Sequence, residues 1–258
     1  MTKTINLNAD LGESFGAWKM GEDEALLQVV RSANIACGFH AGDPLVMRHT
    51  VRTALAAGVS LGAHPAYPDL QGFGRRPMKM APAELEAMVI YQVGALAGMA
   101  AAEGGRVTHV KPHGALNNQA CEDAVLADAM ARAVKAIDPG LILLAPVLSE
   151  LYFAGERIGL KVAGEVFADR AYTDAGTLVP RGRPGAVIHD HDKLVGHVLR
   201  MLDAGGVVSQ SGKVLPGAMD SICVHGDTLG AVESARQLRV ALEARGWQLQ
   251  TLVEKLGA

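Results

Sequence analysis

The sequence predicts a parallel (β/α) barrel, and three observations carry the prediction. Short apolar runs alternate with helix-like segments along the whole chain, the pattern of strands joined by crossover helices. Nearly every run ends in a charged or imidazole residue, whereas an open doubly wound sheet concentrates its chemistry at one switch point. The first strand–helix turn, NADLGESFG, lacks the glycine fingerprint of a dinucleotide-binding fold.

Taken in order, strand-like runs fall at residues 5–10, 33–37, 59–64, 107–112, 141–146, 161–167 and 221–225. Helices are expected at 22–31, 43–57, 82–103, 121–137, 190–204 and 228–245, with a short one in LSELYFAGERIG. Asp43 before Pro44 supplies a capping carboxylate and a first-turn proline. Pro82 with Glu84 and Glu86 places acids in another first turn, and Gly58 and Gly104-Gly105 stop helices. Seven such units fill the chain with no linker between them, so residues 1–258 are expected to form a single-domain barrel of about seven parallel strands. Two connections are long, residues 65–81 and 168–189, and each carries an arginine pair: Arg75 with Arg76, and Arg181 with Arg183. Loops of that length act as lids or binding loops, or else stay a solvated surface.

Composition narrows the partners. Apolar residues make up 49% and charged residues 20%, with a formal charge of −3 and both signs interleaved. No basic stripe suits nucleic acid and no polybasic helix suits a membrane surface. No apolar stretch reads as a membrane span, and MTKTINLNAD has no signal-type apolar region. Cys37, Cys121 and Cys223 are far apart and odd in number, which suits a reducing cytoplasm; Cys37 and Cys223 read as small core residues.

Side-chain alternation then assigns faces. Asn6, Asn8 and Asp10 share one face of the first strand while Ile5, Leu7 and Ala9 share the other. A polar face pointing into a barrel must hydrogen-bond internally or hold a ligand. Asp10 stands at the rim with Glu13 just above it, although Asp10 could instead cap the turn. His109, Lys111 and His113 share a face of the fourth strand. A buried lysine there serves as a proton acceptor or as a partner for carboxylates, His113 is the outermost catalytic candidate, and His109 sits deeper. Cys223, His225 and Asp227 repeat the pattern on the seventh strand, where an Asp can orient a His as general base; Asp227 could equally cap the helix from Thr228. Glu165 and Asp169 share a face, with Arg170 beside them. His40, His64 and Asp43 complete the rim, Asp43 reading as a cap. Asp10, His40 and His64 could together hold a divalent metal, a spacing that is not specific. His49, His189, His191 and His197 read as surface or capping residues, and Met78, Met80, Met88 and Met99 as core fillers. No P-loop exists; GGVVSQSGKV has the wrong spacing and no Ser/Thr after Lys213. No H-E-x-x-H or G-x-S-x-G occurs either.

The segments NADLGESFG, NIACGFHAGD, GAHPAYPDLQGFGRR, HVKPHGALNN, EVFADRAYTDAGTLVPRG and ICVHGD closely resemble the family of 5-oxoprolinase A subunits, formerly lactam-utilization proteins, over nearly the entire chain. The resemblance implies a seven-stranded (β/α) barrel, TIM-like and related to the metal-dependent polysaccharide deacetylases. It also implies ATP-dependent opening of 5-oxo-L-proline to L-glutamate, ATP as co-substrate bringing Mg2+ with it, and two partner subunits, B and C. For such a reaction Asp10, Glu13, His113 and His225 would handle protons and the attacking water, with Lys111, Glu165 and Asp227 as further catalytic candidates. Asn8, His40, His64, Arg75, Arg76, Asp169, Arg170, Arg181 and Arg183 are the candidate substrate contacts, the arginines suiting carboxylate or phosphate oxygens. Without a P-loop, ATP must be bound by the barrel in another geometry or by a partner. Two other classes stay open: a stand-alone metal-dependent deacetylase or amidohydrolase, and a non-catalytic subunit that binds substrate and passes it on.

Overall fold

Strand β1 (Lys3–Leu11) shows how the alternation is used. Ile5, Leu7, Ala9 and Leu11 join the core beneath the helices, Asn6, Asn8 and Asp10 point the other way, and all seven are buried. The computed structural model describes residues 3–224 and 230–257. In it β1 pairs in parallel with β2 (Ser32–Ala36), and the sheet continues through β3 (Ser60–His64), β4 (Val107–Val110), β5 (Ile142–Pro146) and β6 (Lys161–Phe167). A short antiparallel pair, β7 (Gly206–Val208) and β8 (Val214–Pro216), follows. Strand β9 (Ser221–Val224) then pairs with both β6 and β1, which closes a seven-stranded parallel barrel.

The helices are α1 (Asp23–Leu27), α2 (Pro44–Ala56), α3 (Pro82–Ala102), α4 (Gly114–Glu122), α5 (Ala124–Ile137), α6 (Glu150–Arg157), α7 (His191–Ala204) and α8 (Ala231–Ala244). Asp43 caps α2 as expected, accepting from the backbone N–H groups of Leu45 and Val46. The helix expected over 121–137 starts at Ala124, and an unanticipated helix, α4, runs up to Glu122 just before it. Asp123 takes an extended backbone and accepts from Val125 and Leu126 N–H, so its side chain starts α5 where α4 ends. Helix α1 is shorter than the 22–31 segment, because the chain turns at Val29 to enter β2.

Three further departures matter. Helix α3 is long and apolar enough, by length and composition, to cross a membrane, contrary to the expectation that no stretch would be. Its Leu85, Val89, Val93 and Leu96 are buried, and the helix packs on β3, β4, α2 and α5 as an outer barrel helix. His197 is buried rather than on the surface: Leu194, His197, Val198 and Met201 form the inward stripe of α7, and its ring stacks 6.3 Å from Tyr172. The chain also ends in an unanticipated strand β10 (Trp247–Leu249) and helix α9 (Leu252–Leu256). Strand β10 pairs with the start of β1, and Leu252 packs on Ile142, Leu144 and Ala163 to seal the amino-terminal end of the barrel.

Candidate active site at the carboxyl rim

The polar face of β1 is satisfied internally, strand by strand. Asn6 donates to Ser32 Oγ (2.9 Å) and accepts from Ser221 Oγ (2.6 Å). Asn8 donates to Glu165 Oε1 (3.0 Å), and Asn34 donates to Asn8 Oδ1 (2.7 Å) and Asp10 Oδ1 (2.8 Å). His109 Nε2 lies 3.0 Å from Asn34 Oδ1. Gly62 makes that ring position available, since a Cβ there would sit 2.0 Å from His109 Nε2. Burial drives the His109 imidazole down to about 3, so it is neutral.

Above this layer lies Lys111, its Nζ 2.9 Å from Asp10 Oδ1, 3.0 Å from Glu165 Oε1 and 3.0 Å from Cys223 Sγ. Burial works against the ammonium, but Asp10, Cys223 and Glu165 outweigh it and hold Lys111 well above its ordinary value. Of the two roles open to a buried lysine, the structure places it as counter-ion to carboxylates. Burial raises Glu165 despite that partner, and pushes the Cys223 thiol well up. Cys223 sits in the hydrophobic core as expected and also accepts from Lys111.

Toward the rim, the imidazoles converge. His64 Nδ1 lies 2.7 Å from the Lys111 carbonyl and His113 Nε2 lies 2.8 Å from the Phe73 carbonyl. A carbonyl only accepts, so each ring carries its proton on that nitrogen. The opposite nitrogens, His64 Nε2 and His113 Nδ1, face each other at 3.0 Å. Glu13 Oε1 is 3.5 Å from His113 Nδ1 and 3.2 Å from His40 Nε2, and Asp10 Oδ2 is 3.4 Å from His64 Nε2. The His40 ring stacks on His113 with centroids 3.9 Å apart. Burial holds both His40 and His113 well below the ordinary imidazole range. Ligand atoms of Glu13, His40, His64 and His113 all lie within 4.8 Å of one another, a group that could hold a metal ion. His40 and His64 belong to the trio expected from the sequence; Glu13 and His113 join them, while Asp10 Oδ1 is engaged by Lys111 and Asn34.

The 65–81 loop builds the far wall. Phe73 adopts φ 54°, the left-handed region that non-glycine residues rarely enter, and presents its carbonyl to His113. Gly74 beside it approaches so closely that a Cβ would lie 2.9 Å from both the His113 and His40 side chains.

A cavity of about 420 Å³ opens over this centre, touched by Asp10, His64, Lys111 and His113 and by three guanidinium groups, Arg75, Arg170 and Arg181. Arg75 lies 5.0 Å over the Phe73 ring. Arg170 is buried, donates to the Val179 carbonyl (2.7 Å), and is lowered by burial and then by Arg181. Not every expected contact reaches the cavity. Arg76 is bound to the Asp69 carboxylate and exposed Arg183 lies off the wall. Asn8 and Glu165 sit beneath Lys111, His40 and Glu13 behind His113, and Asp169 is buried at the base of the second loop, its carbonyl accepting from Ile188. His225 and Asp227 lie outside the described residues. Asn117, Cys121, Ser149 and Tyr172 also line the cavity, although no sequence signal marks them for it. Asn117 and Cys121 ride on α4, most of which lies before the helix predicted from residue 121, and burial lifts the Cys121 thiol to about 12.

Fold and site define a (β/α)-barrel protein whose carboxyl rim encloses a buried carboxylate, imidazole and ammonium centre beneath an arginine-flanked cavity. The chain belongs to the LamB/YcsF family, whose profile matches residues 5–257. A protein of Azoarcus sp. (strain BH72), named as the A subunit of 5-oxoprolinase, is 78% identical over 250 residues, covering 97% of this chain and 98% of that one. The crystal structure of a lactam utilization protein from Thermus thermophilus has a TM-score of 0.91 at 44% identity, covering 96% of this chain and all 100% of the other. A family 4 carbohydrate esterase from Streptomyces lividans, at 15% identity and TM-score 0.50 over 96% of this chain and 91% of that one, shares the fold alone. The family reached from the rim motifs is thus the family the comparisons show.

Proposed function

We propose that this chain is the A subunit of a cytoplasmic, ATP-dependent 5-oxoprolinase that opens 5-oxo-L-proline to L-glutamate together with subunits B and C. The observation that carries the reading is the cavity itself, with proton acceptors and a fixed ammonium at one end and guanidinium groups on its walls. Opening the lactam breaks the ring C–N bond, adds water across it, and leaves the nitrogen as the amine of glutamate. A five-membered lactam is a stable amide, so ATP drives the step by phosphorylating the lactam oxygen; water adds to the activated carbon, the C–N bond breaks as the nitrogen takes a proton, and a second water releases phosphate from the resulting acyl phosphate.

In this reaction Asp10, whose Oδ1 lies 2.9 Å from Lys111 Nζ, takes a proton from the attacking water. Arg75, Arg170 and Arg181 hold the substrate carboxylate and the oxygens of the activated carbon, where forked donors suit planar anions. Glu165 fixes Lys111 from below. With no P-loop in the sequence, the nucleotide and its Mg2+ are bound by the barrel in another geometry or by a partner subunit.

The test combines the chain with subunits B and C, 5-oxoproline and ATP, and follows glutamate. Asp10→Asn should lower the rate by about 10²–10⁴-fold, the usual contribution of a positioned proton acceptor. Glutamate formed at an unchanged rate by that variant, or formed without ATP, would refute the proposal.

A further inference from the structure

We infer that Glu13, His64 and His113 form a site for one first-row divalent transition ion of the Zn2+ class, with His40 orienting the Glu13 carboxylate. Hydrogen-bond direction is the ground for it. The carbonyls of Lys111 and Phe73 take the ring protons of His64 and His113, so His64 Nε2 and His113 Nδ1 present lone pairs to each other at 3.0 Å. Glu13 Oε1 lies beside them, 3.5 Å from His113 Nδ1, and the ligand atoms of Glu13, His64 and His113 all fall within 4.8 Å of one another. Two imidazole lone pairs that face each other with a carboxylate alongside suit a cation that accepts several ligands at once.

The surroundings are those of metal-binding histidines. A ligating imidazole characteristically donates its other N–H to a backbone carbonyl, and both rings do so here. The strained Phe73 backbone delivers one of those carbonyls. His40 lacks such support: its Nδ1 is buried with no hydrogen-bond partner among the described residues, while Nε2 lies 3.2 Å from Glu13. As a ligand through Nε2 it would leave an N–H buried and unsatisfied, whereas as donor to Glu13 it leaves only a lone pair. Two imidazoles and one carboxylate leave coordination positions open toward the cavity that His64 and His113 line. Nitrogen donors of this kind select zinc-like ions over Mg2+. An ion bound there supplies Lewis acidity to an oxygen in the cavity.

The test uses the whole chain stripped with a chelator, then titrated with Zn2+ alone and with Mg2+ alone, with bound metal measured by elemental analysis and calorimetry. One equivalent of Zn2+ and no Mg2+ is expected. His64→Ala, His113→Ala and Glu13→Ala should each weaken Zn2+ about 100-fold or more, and His40→Asn about 10-fold. Substoichiometric Zn2+ on the wild-type chain, or unchanged affinity in the His64 and His113 variants, overturns the site. Nitrogen NMR of the wild-type histidines guards against misfolded variants. Zn2+ should shift His64 Nε2 and His113 Nδ1 while their partner nitrogens stay protonated, and rings unmoved by Zn2+ overturn the inference. Neither readout involves lactam turnover, so this site and the proposed reaction can fail independently.

Discussion

Two sides of the barrel interior are built from opposite chemistry. Where β5 and β6 begin, Ile142, Leu144 and Ala163 pack against Leu252 of α9 and ask only for volume. Across the lumen, Asn6, Asn8, Asn34, His109 and Lys111 fill the same kind of space with a chain of hydrogen bonds that reaches Asp10 and Glu165. The boundary falls between paired neighbours, His109 on β4 opposite Ile142 on β5. An apolar wall loses stability in proportion to the volume removed. A polar network fails in larger steps, because removing one partner strands others in a dry interior.

The sharpest way to break that comparison is Lys111→Met, which leaves Asp10 and Glu165 buried without their ammonium. It should cost about 3–5 kcal/mol in urea unfolding, the scale for removing one partner of a buried ion pair. Leu252→Ala, on the apolar side, should cost about 2–4 kcal/mol by cavity formation and leave Zn2+ uptake unchanged. A larger loss for Leu252→Ala than for Lys111→Met would reverse the ranking of the two sides. Gly62→Ala should cost about 1–3 kcal/mol by overpacking, with His109 displaced in the crystal structure of the variant.

A pH series sharpens the picture further. His109 is less basic folded than unfolded, its value falling from 6.5 to about 3. Its contribution to stability is therefore complete above about pH 6.5 and is lost as the pH falls through that value toward 3. Unfolding measured across this window should show a slope that His109→Gln flattens. The smallest effect belongs outside the barrel. Glu103 bridges the exposed Arg48 and Arg52, and Glu103→Gln should leave the unfolding midpoint within experimental scatter.

Much of the barrel was legible along the chain, since strand alternation and helix caps are local properties. The inward face of β1 and that of β4 follow from a period of two, and Asp43 from its place before Pro44. His197 was readable too, because Leu194, Val198 and Met201 share its helical stripe. The break at Asp123 was harder, because the residues on both sides suit a helix and a single carboxylate decides. Strand β10 and helix α9 are short, and they exist because the open end of a barrel must be closed.

The local pattern of residues by itself determined seven parallel strands, a polar lumen and a rim rich in acids, imidazoles and arginines. Only the tertiary structure decided which rim groups meet. Arg75 reaches the cavity while its neighbour Arg76 turns to Asp69, and Glu13 joins His64 and His113 while Asp10 is engaged by Lys111. Those outcomes depend on loop backbone, on Phe73 at positive φ and on the carbonyls of Lys111 and Phe73. Side-chain direction in a loop has no period, so it is set by what packs around it rather than by spacing along the chain.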